Sequence, residues 1–456
     1  MSEQSSALPL LPGFEAERPL FETVSNATQH LISHQEFIGK ATRLSRTLPS
    51  SRYLINLCDD RYWFALAFAA GLIRGTVSLF PPNRLAATCH EIARDYSDMV
   101  CISDGPIDGL ELPLIQIKEP GGTGQTDVPM PLIAADTEAF VAFTSGSTGR
   151  PRPHPKYWGD LVGCATAAAR RFGFTPDSSI IATVPPQHMY GLELSIMVPL
   201  TVGLSVTAAR PFFPADIRAA LGRAPGARIL VTTPIHLAAC VDAGLDWPAI
   251  DMIISATAPL SRTLAERAES ALSTRVFEIY GSTESGSIAS RHTCRDTAWR
   301  WYDSVVPIRD GDRIAVTADF LHDPVPLADV LQLERDGCFQ LLGREADMIK
   351  VGGKRASLAD LSLKLNAIDG VSDAVFVVPD EQQERVERLA LIAVAPGMDR
   401  QAIIAGLTGR IDPVFYPRRI VFVDRLPRNA AGKLVREDLL RLLDTTRDQG
   451  SEGDAD

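Results

Sequence analysis

Ala139-Phe140-Val141-Ala142-Phe143 runs directly into Thr144-Ser145-Gly146-Ser147-Thr148-Gly149, with Pro151 and Arg152 just behind. The apolar run predicts a buried strand. A strand that empties into hydroxyls and glycines gathers rotatable donors and bare backbone N–H groups at one point, the chemistry that cradles a polyphosphate. It is not the Walker loop, because no Gly-Lys pair follows Gly146 or Gly149 at the required spacing. Taken alone, the Gly-Ser-Thr-Gly tetrapeptide reads more readily as a Ser/Gly-rich surface turn. The rest of the chain has to decide.

On either side of this stretch, short apolar runs alternate with helical periodicity. Strands are predicted at Tyr53 to Leu57, Thr76 to Phe80, Met99 to Ile102, Ile180 to Val184, Ser205 to Ala208, Arg228 to Val231, Met252 to Ser255 and Arg275 to Ile279, with helices between them. That alternation is the mark of a parallel α/β sheet. Residues 1–20, rich in Ser and Pro, are expected to be loosely ordered, and Phe21 to Thr47 has helical spacing. Residues 103–137 read as a long connection. From Trp299 the texture becomes short β-like pieces, and 344–442 reads as a small α+β domain. A polar, acidic tail, 443–456, is expected to be disordered. The fold class expected is therefore α/β: a large N-terminal domain (21–343) of two α/β subdomains plus a small β region, followed by a small mobile α+β domain (344–442).

With 456 residues, 45% of them apolar and 22% charged, the chain has the composition of an ordinary globular protein with a large core. A net charge of −11 argues against non-specific nucleic-acid or membrane binding. The seven cysteines stand singly, without zinc or C-x-x-C spacing, which suggests reduced core thiols and a cytoplasmic address. The longest apolar run, Tyr62 to Ile73, is too short to span a bilayer and predicts a core helix.

Four further stretches follow the hydroxyl-rich loop in order: Tyr280-Gly281-Ser282-Thr283-Glu284; Leu327-Ala328-Asp329 leading to Gly343-Arg344; Lys350-Val351-Gly352-Gly353-Lys354-Arg355; and Leu426-Pro427-Arg428-Asn429-Ala430-Ala431-Gly432-Lys433-Leu434. Together the five resemble the adenylate-forming superfamily of acyl- and aryl-CoA synthetases, peptide-synthetase adenylation domains and luciferases, over about residues 20–442. The resemblance implies an acid-thiol ligase that uses ATP and Mg²⁺ to make an acyl-adenylate and passes the acyl group to CoA or an acyl carrier protein.

Activating a carboxylate this way means attack on the α-phosphorus with departure of pyrophosphate, so fixed positive charge and oriented donors are needed at one place. The resemblance gives Thr144 to Gly149 and Arg152 to the phosphates, and Tyr280, Gly281 and Thr283 to adenine and the α-phosphate. It gives Glu284 to Mg²⁺, and Asp329 with Arg344 to the ribose. Lys433 would bridge the carboxylate and the α-phosphate, Gly352 and Gly353 would line a tunnel for the thiol, and His188, Ala256 and Ala258 would border the acid. Each also has a structural reading. Glu284 could be a solvated turn carboxylate, Lys433 a solvated lysine, Gly352-Gly353 a hairpin turn, and His188 a structural histidine.

The chain departs from the family pattern in three places. Behind the phosphate loop, where Lys and Gly are usual, stands Arg152-Pro153-His154-Pro155-Lys156-Tyr157-Trp158, and the prolines are expected to redirect the segment. The hinge position is Ala346. Ala256-Thr257-Ala258-Pro259-Leu260 puts Ala where Gly is usual, which would shallow the pocket and favour a compact or planar acid. The short β region and the Pro-x-Pro resemble the compact ligases of aryl-polyene and xanthomonadin-type pathways, implying an aryl acid such as a hydroxybenzoate or hydroxycinnamate. A fatty- or amino-acid-adenylating enzyme, or an AMP-binding protein without catalysis, are the alternatives.

Overall fold

The computed structural model describes residues 6–25, 28–119, 128–145, 151–311, 313–344, 348–351, 354–379, 389–428 and 434–448. Two sheets organise the larger part of the chain. In the first, of six strands, Glu138–Ser145 runs parallel to Val77–Phe80, which is parallel to Tyr53–Asn56 and then Met99–Ser103. The second has eleven strands and a parallel centre, in the order Val276–Ser282, Met252–Ser255, Ala227–Thr232, Ser178–Ala182, Ser205–Thr207. The C-terminal part carries its own three-stranded sheet of Asp373–Val377, Ala390–Val394 and Arg419–Phe422 with separate cores. This is the α/β architecture expected from the alternating pattern.

The helix predicted over Tyr62 to Ile73 spans Arg61–Arg74. Asp60 caps it, accepting from the N–H groups of Tyr62 (2.9 Å) and Trp63 (3.3 Å), and Gly75 closes it in the left-handed conformation. Its apolar residues Phe64 and Phe68 pack against Phe80 and Phe140, and the last two rings stack with centroids 4.6 Å apart. The strand that leads into the Ser/Gly loop is therefore fixed from behind by an aromatic core.

Several expectations need correction. The N-terminus is not loosely ordered within its described residues: Ala7–Pro9 pairs with Leu132–Ala134, and Leu10 and Leu11 are fully buried. The helical spacing from Phe21 resolves into a hairpin, Pro19–Ser25 with Thr28–Ser33, before a helix over His34–Thr47. Pairing of Val206 with Phe21 extends the large sheet, and the buried Glu22 carboxylate accepts from Thr207 Oγ1 (2.8 Å) and Arg223 Nε (2.7 Å). Tertiary pairing thus overrides the local period. The connection 103–137 contains the strands Leu114–Gln116 and Leu132–Ala134. The tail begins later than expected, because a helix runs Arg436–Asp448.

Nor do the prolines behind the loop break the backbone. Pro151–Tyr157 is an antiparallel strand on Glu138–Ser145, at the edge of the six-stranded sheet. Pro151, Pro153 and Pro155 fall at alternate positions. An edge strand tolerates proline wherever its missing N–H would have pointed to solvent.

His34 gives the fold a pH dependence. Its Nδ1 accepts from the Glu15 N–H at 3.0 Å, its Nε2 is buried without a partner among the described residues, and burial pulls its pKa down to about 4. The unfolded chain takes up this proton near pH 6.5 and the folded chain only near 4. Stability from this group is complete above about 6.5 and declines as pH falls, by up to about 3 kcal/mol at pH 4. His34→Gln keeps an acceptor for Glu15 and should flatten the decline in urea midpoint between pH 7 and 4.5. An unchanged slope would remove His34 as its source.

Candidate active site

In open α/β sheets ligands bind beyond the carboxyl ends of the parallel strands. Here those ends carry several of the expected site residues. Ser178–Ala182 leads to Pro185 through Tyr190, Met252–Ser255 to Ala256 through Leu260, and Val276–Ser282 to Thr283 and Glu284. Glu138–Ser145 carries Thr144 and Ser145 at the carboxyl end of its own parallel neighbour. Gly146, Ser147, Thr148 and Gly149 lie outside the described residues, as do Ala346, Gly352, Gly353 and Lys433.

The best-defined unit is the hairpin of Val276–Ser282 with Gly286–His292. Its three-residue loop closes with Gly286 at φ +66°, the residue type such a loop requires. Ser282 and Ser285 lock it reciprocally, the Ser282 N–H donating to Ser285 Oγ (3.1 Å) and the Ser285 N–H to Ser282 Oγ (3.2 Å). Gly281 sits at a bulge where a Cβ would lie 2.1 Å from the Gly286 carbonyl oxygen. Gly281→Ala must open the turn by more than 1 Å. We expect about a hundredfold loss of nucleotide-dependent activity, read as kcat/KM for ATP; a variant within threefold of the parent would show the turn to be slack.

Tyr280 and Asp329 come together: the Tyr280 hydroxyl donates to Asp329 Oδ2 at 2.6 Å. The Tyr280 ring is only 8% exposed, tilted against Trp299 and edge-on to Phe339. Asp329 pairs directly across from Arg344 in the strands Asp329–Leu333 and Cys338–Arg344. The tyrosine hydroxyl and the carboxylate, with the arginine backbone opposite, thus form one constellation, although they lie far apart in sequence.

Glu284 is the exposed carboxylate of the hairpin tip, 46% accessible. Burial of its inner part pushes its pKa up. Its own backbone N–H, the Ser282 hydroxyl, His154 and Lys156 outweigh that and hold it below the usual carboxylate range. An ionised, reachable oxygen donor of this kind fits Mg²⁺, which takes one or two carboxylates and leaves its other positions to phosphates and water. A different donor set, Glu269, His292 and Cys294, lies at the other end of the Gly286–His292 strand. There the Glu269 carboxylate already accepts from the Val276 N–H (2.8 Å) and faces His292 Nε2 (2.6 Å), so it ties helix to strand.

Around the expected acid pocket, His188 is half-buried at the start of a helical turn and Ala258 is half-buried, while Ala256 is 9% exposed. Thr257, between the two alanines, has φ +78°, a conformation that a β-branched residue adopts only under strain and that is common at ligand sites. Arg152 is exposed on the proline-rich edge strand, paired opposite Thr144.

Several supporting residues escape a motif reading. The Tyr190 hydroxyl donates to the Ile254 (2.8 Å) and Thr232 (3.2 Å) carbonyls, pinning the His188 segment across two strand ends. Glu278, buried and bonded to Arg291, accepts from the Leu260 N–H at 2.8 Å and so holds the Ala256–Leu260 turn. Its one sequence signal is an acid at an inward position of an apolar strand. Glu193 sits fully buried in a π-helical turn, Glu193–Met197, and accepts from the Ser287 N–H at 2.9 Å and from the Ser287 hydroxyl. Its position carries no local signal.

Comparison with known proteins finds matches along most of the chain. The AMP-binding enzyme profile matches residues 52–326, and the AMP-binding enzyme C-terminal domain matches 364–433. The chain is 27% identical to a 4-coumarate–CoA ligase of Halorhodospira halophila over 65% of this chain and 75% of that one. It is 22% identical to a 2-succinylbenzoate–CoA ligase of Listeria monocytogenes over 93% and 95%. Among solved structures it resembles the o-succinylbenzoate CoA synthetase of Bacillus subtilis, in complex with its acyl-adenylate intermediate, at a TM-score of 0.80 and 18% identity, covering 95% and 98%. No helix among the described residues is long and apolar enough to cross a membrane. With the family profile spanning more than half its length, the chain belongs to the AMP-binding enzyme family.

Proposed function

We propose that the chain activates a carboxylic acid with ATP, releasing pyrophosphate, and transfers the acyl group from the adenylate to a thiol of CoA or an acyl carrier protein. The observation that carries this reading is the convergence at the strand ends of the Tyr280–Asp329 pair, the Glu284 hairpin and the Ala256–Leu260 turn. Asp329 would accept from the ribose hydroxyls, its carboxylate held by the Tyr280 hydroxyl. Glu284 would hold Mg²⁺, which supplies charge neutralisation at the phosphates. Thr144 to Gly149 and Arg152 would cradle the departing pyrophosphate, with Gly281 and Thr283 at the nucleotide, Arg344 beside Asp329, and Gly352-Gly353 along the thiol path.

An aryl acid is the substrate class we favour. Ala256 stands where glycine is usual, and the strained Thr257 turn beside it is held by Glu278, which supports a rigid wall with room for a compact or planar acid. The test is acid-dependent exchange of pyrophosphate into ATP by the purified protein across aryl, fatty and amino acids, followed by mass spectrometry of the thioester with each acceptor. Hydroxybenzoates or hydroxycinnamates should support exchange best. Exchange with no acid in the panel would overturn the catalytic reading, and exchange with fatty or amino acids alone would overturn the aryl assignment.

A further inference from the structure

We propose that His154 and Lys156 act as a two-point clamp on Glu284, positioning residues that hold its carboxylate ready for a divalent cation. This rests on the reading of Glu284 as the cation ligand. In the edge strand Pro151–Tyr157 the two residues are alternate, so they share one face. Both reach the same hairpin residue, 128 and 130 positions along the chain. His154 Nε2 lies 3.6 Å from Glu284 Oε1, and the Lys156 ammonium donates to the Glu284 backbone carbonyl.

The division of labour leaves the site usable. Lys156 takes the main-chain oxygen and none of the carboxylate, while His154 approaches one carboxylate oxygen at a distance too long for a tight hydrogen bond. Beside these contacts the carboxylate stays 46% accessible, open to a cation. On either side of His154, Pro153 and Pro155 are exposed and remove two N–H groups from the sheet edge, which discourages further strand pairing there.

Burial makes Lys156 more than a surface contact. It is 9% exposed, near the fully buried Glu193, whose carboxylate is itself bonded to Ser287 in the strand that leaves the hairpin. An ammonium taken out of water is costly, and an apolar side chain would fill the same volume more cheaply. What the lysine adds is a directed bond to the hairpin tip. Beyond the Ser282–Ser285 bonds, the tip has these two contacts to a separate sheet, so they set where Glu284 points.

The test titrates Mn²⁺ by electron paramagnetic resonance against the full chain with α,β-methylene-ATP. AMP affinity is measured in parallel in EDTA. Lys156→Met and His154→Gln should each weaken Mn²⁺ binding about ten- to a hundredfold, the range for residues that orient a metal ligand, with AMP affinity unchanged and Lys156→Arg recovering most of the loss. Equal weakening of AMP and Mn²⁺, or no change in Mn²⁺, overturns the clamp. Glu284→Gln separates the two readings. If it leaves Mn²⁺ binding intact, the ligand assignment fails and the clamp with it; if it abolishes binding while the clamp variants do not, the clamp alone fails. Should Lys156→Met not fold, Lys156→Arg and His154→Gln decide the matter by the same measurements.

Discussion

Arg61→Met is expected to destabilise the fold by about 3 kcal/mol or more, because several buried carbonyl oxygens lose their donor at once. The Arg61 side chain is fully buried, and among the described residues no carboxylate pairs with it. Its Nε donates to Ser195 Oγ (2.8 Å), one terminal nitrogen to the Thr207 and Ala209 carbonyls (2.7 and 3.2 Å), and the other to those of Ala182 and Val184 (both 3.0 Å). Burial pulls its pKa down to about 10, so it remains a cation at neutral pH.

The acceptors are the exits of two neighbouring parallel strands, and the stretch after Val184 leads to His188. Losing the guanidinium therefore frees the backbone that frames the expected acid pocket as well as costing stability. A lysine has three donors on one atom and no planar fork, so it cannot serve both strand ends. Arg61→Lys should fall between the parent and Arg61→Met in urea midpoint, with KM for the acid raised in both variants. A methionine variant within 1 kcal/mol of the parent would mean that water or repacking satisfies the carbonyls, in line with cases where buried ions are replaced at no cost.

How much of this could be read from the chain follows from where each signal lives. Apolar runs bounded by turns placed the parallel strands and the Arg61–Arg74 helix, because both faces of such elements are buried and their pattern is local. The Tyr280 to Glu284 and Ala256 to Leu260 stretches were legible as chemistry, and the fold explains their order: each lies at the carboxyl end of one of two adjacent parallel strands. The Pro19–Ser33 hairpin and the proline-rich edge strand were not legible, since each exists by pairing with a distant partner. Lys156, Glu193 and Arg61 look like ordinary surface charges in sequence. They are functional candidates only because tertiary packing buries them beside specific carbonyls and hydroxyls.

The Lys433→Ala variant should lose acid-dependent pyrophosphate exchange by about a hundred- to a thousandfold, the cost of removing a charge aimed at the transition state. Lys433 lies outside the described residues, and the described residues nearest to it, Arg428 and Leu434, are both held in place. Arg428 bridges Leu434 in an antiparallel pair, and its guanidinium grips Asp373 at 2.8 and 2.9 Å. Leu434 packs on the core that contains Val421, Leu426 and Leu439. Truncating the adjacent lysine leaves these anchors in place, so thermal stability should be unchanged and the loss should report on charge. The two half-reactions make the prediction specific. If Lys433 serves the adenylation step by bridging the carboxylate and the α-phosphate, then a supplied acyl-adenylate bypasses the need for it, and thioester formation from that adenylate should proceed near the parent rate. Equal loss in both half-reactions would instead make Lys433 a general anchor for the nucleotide, and its assigned role in activating the acid would be wrong.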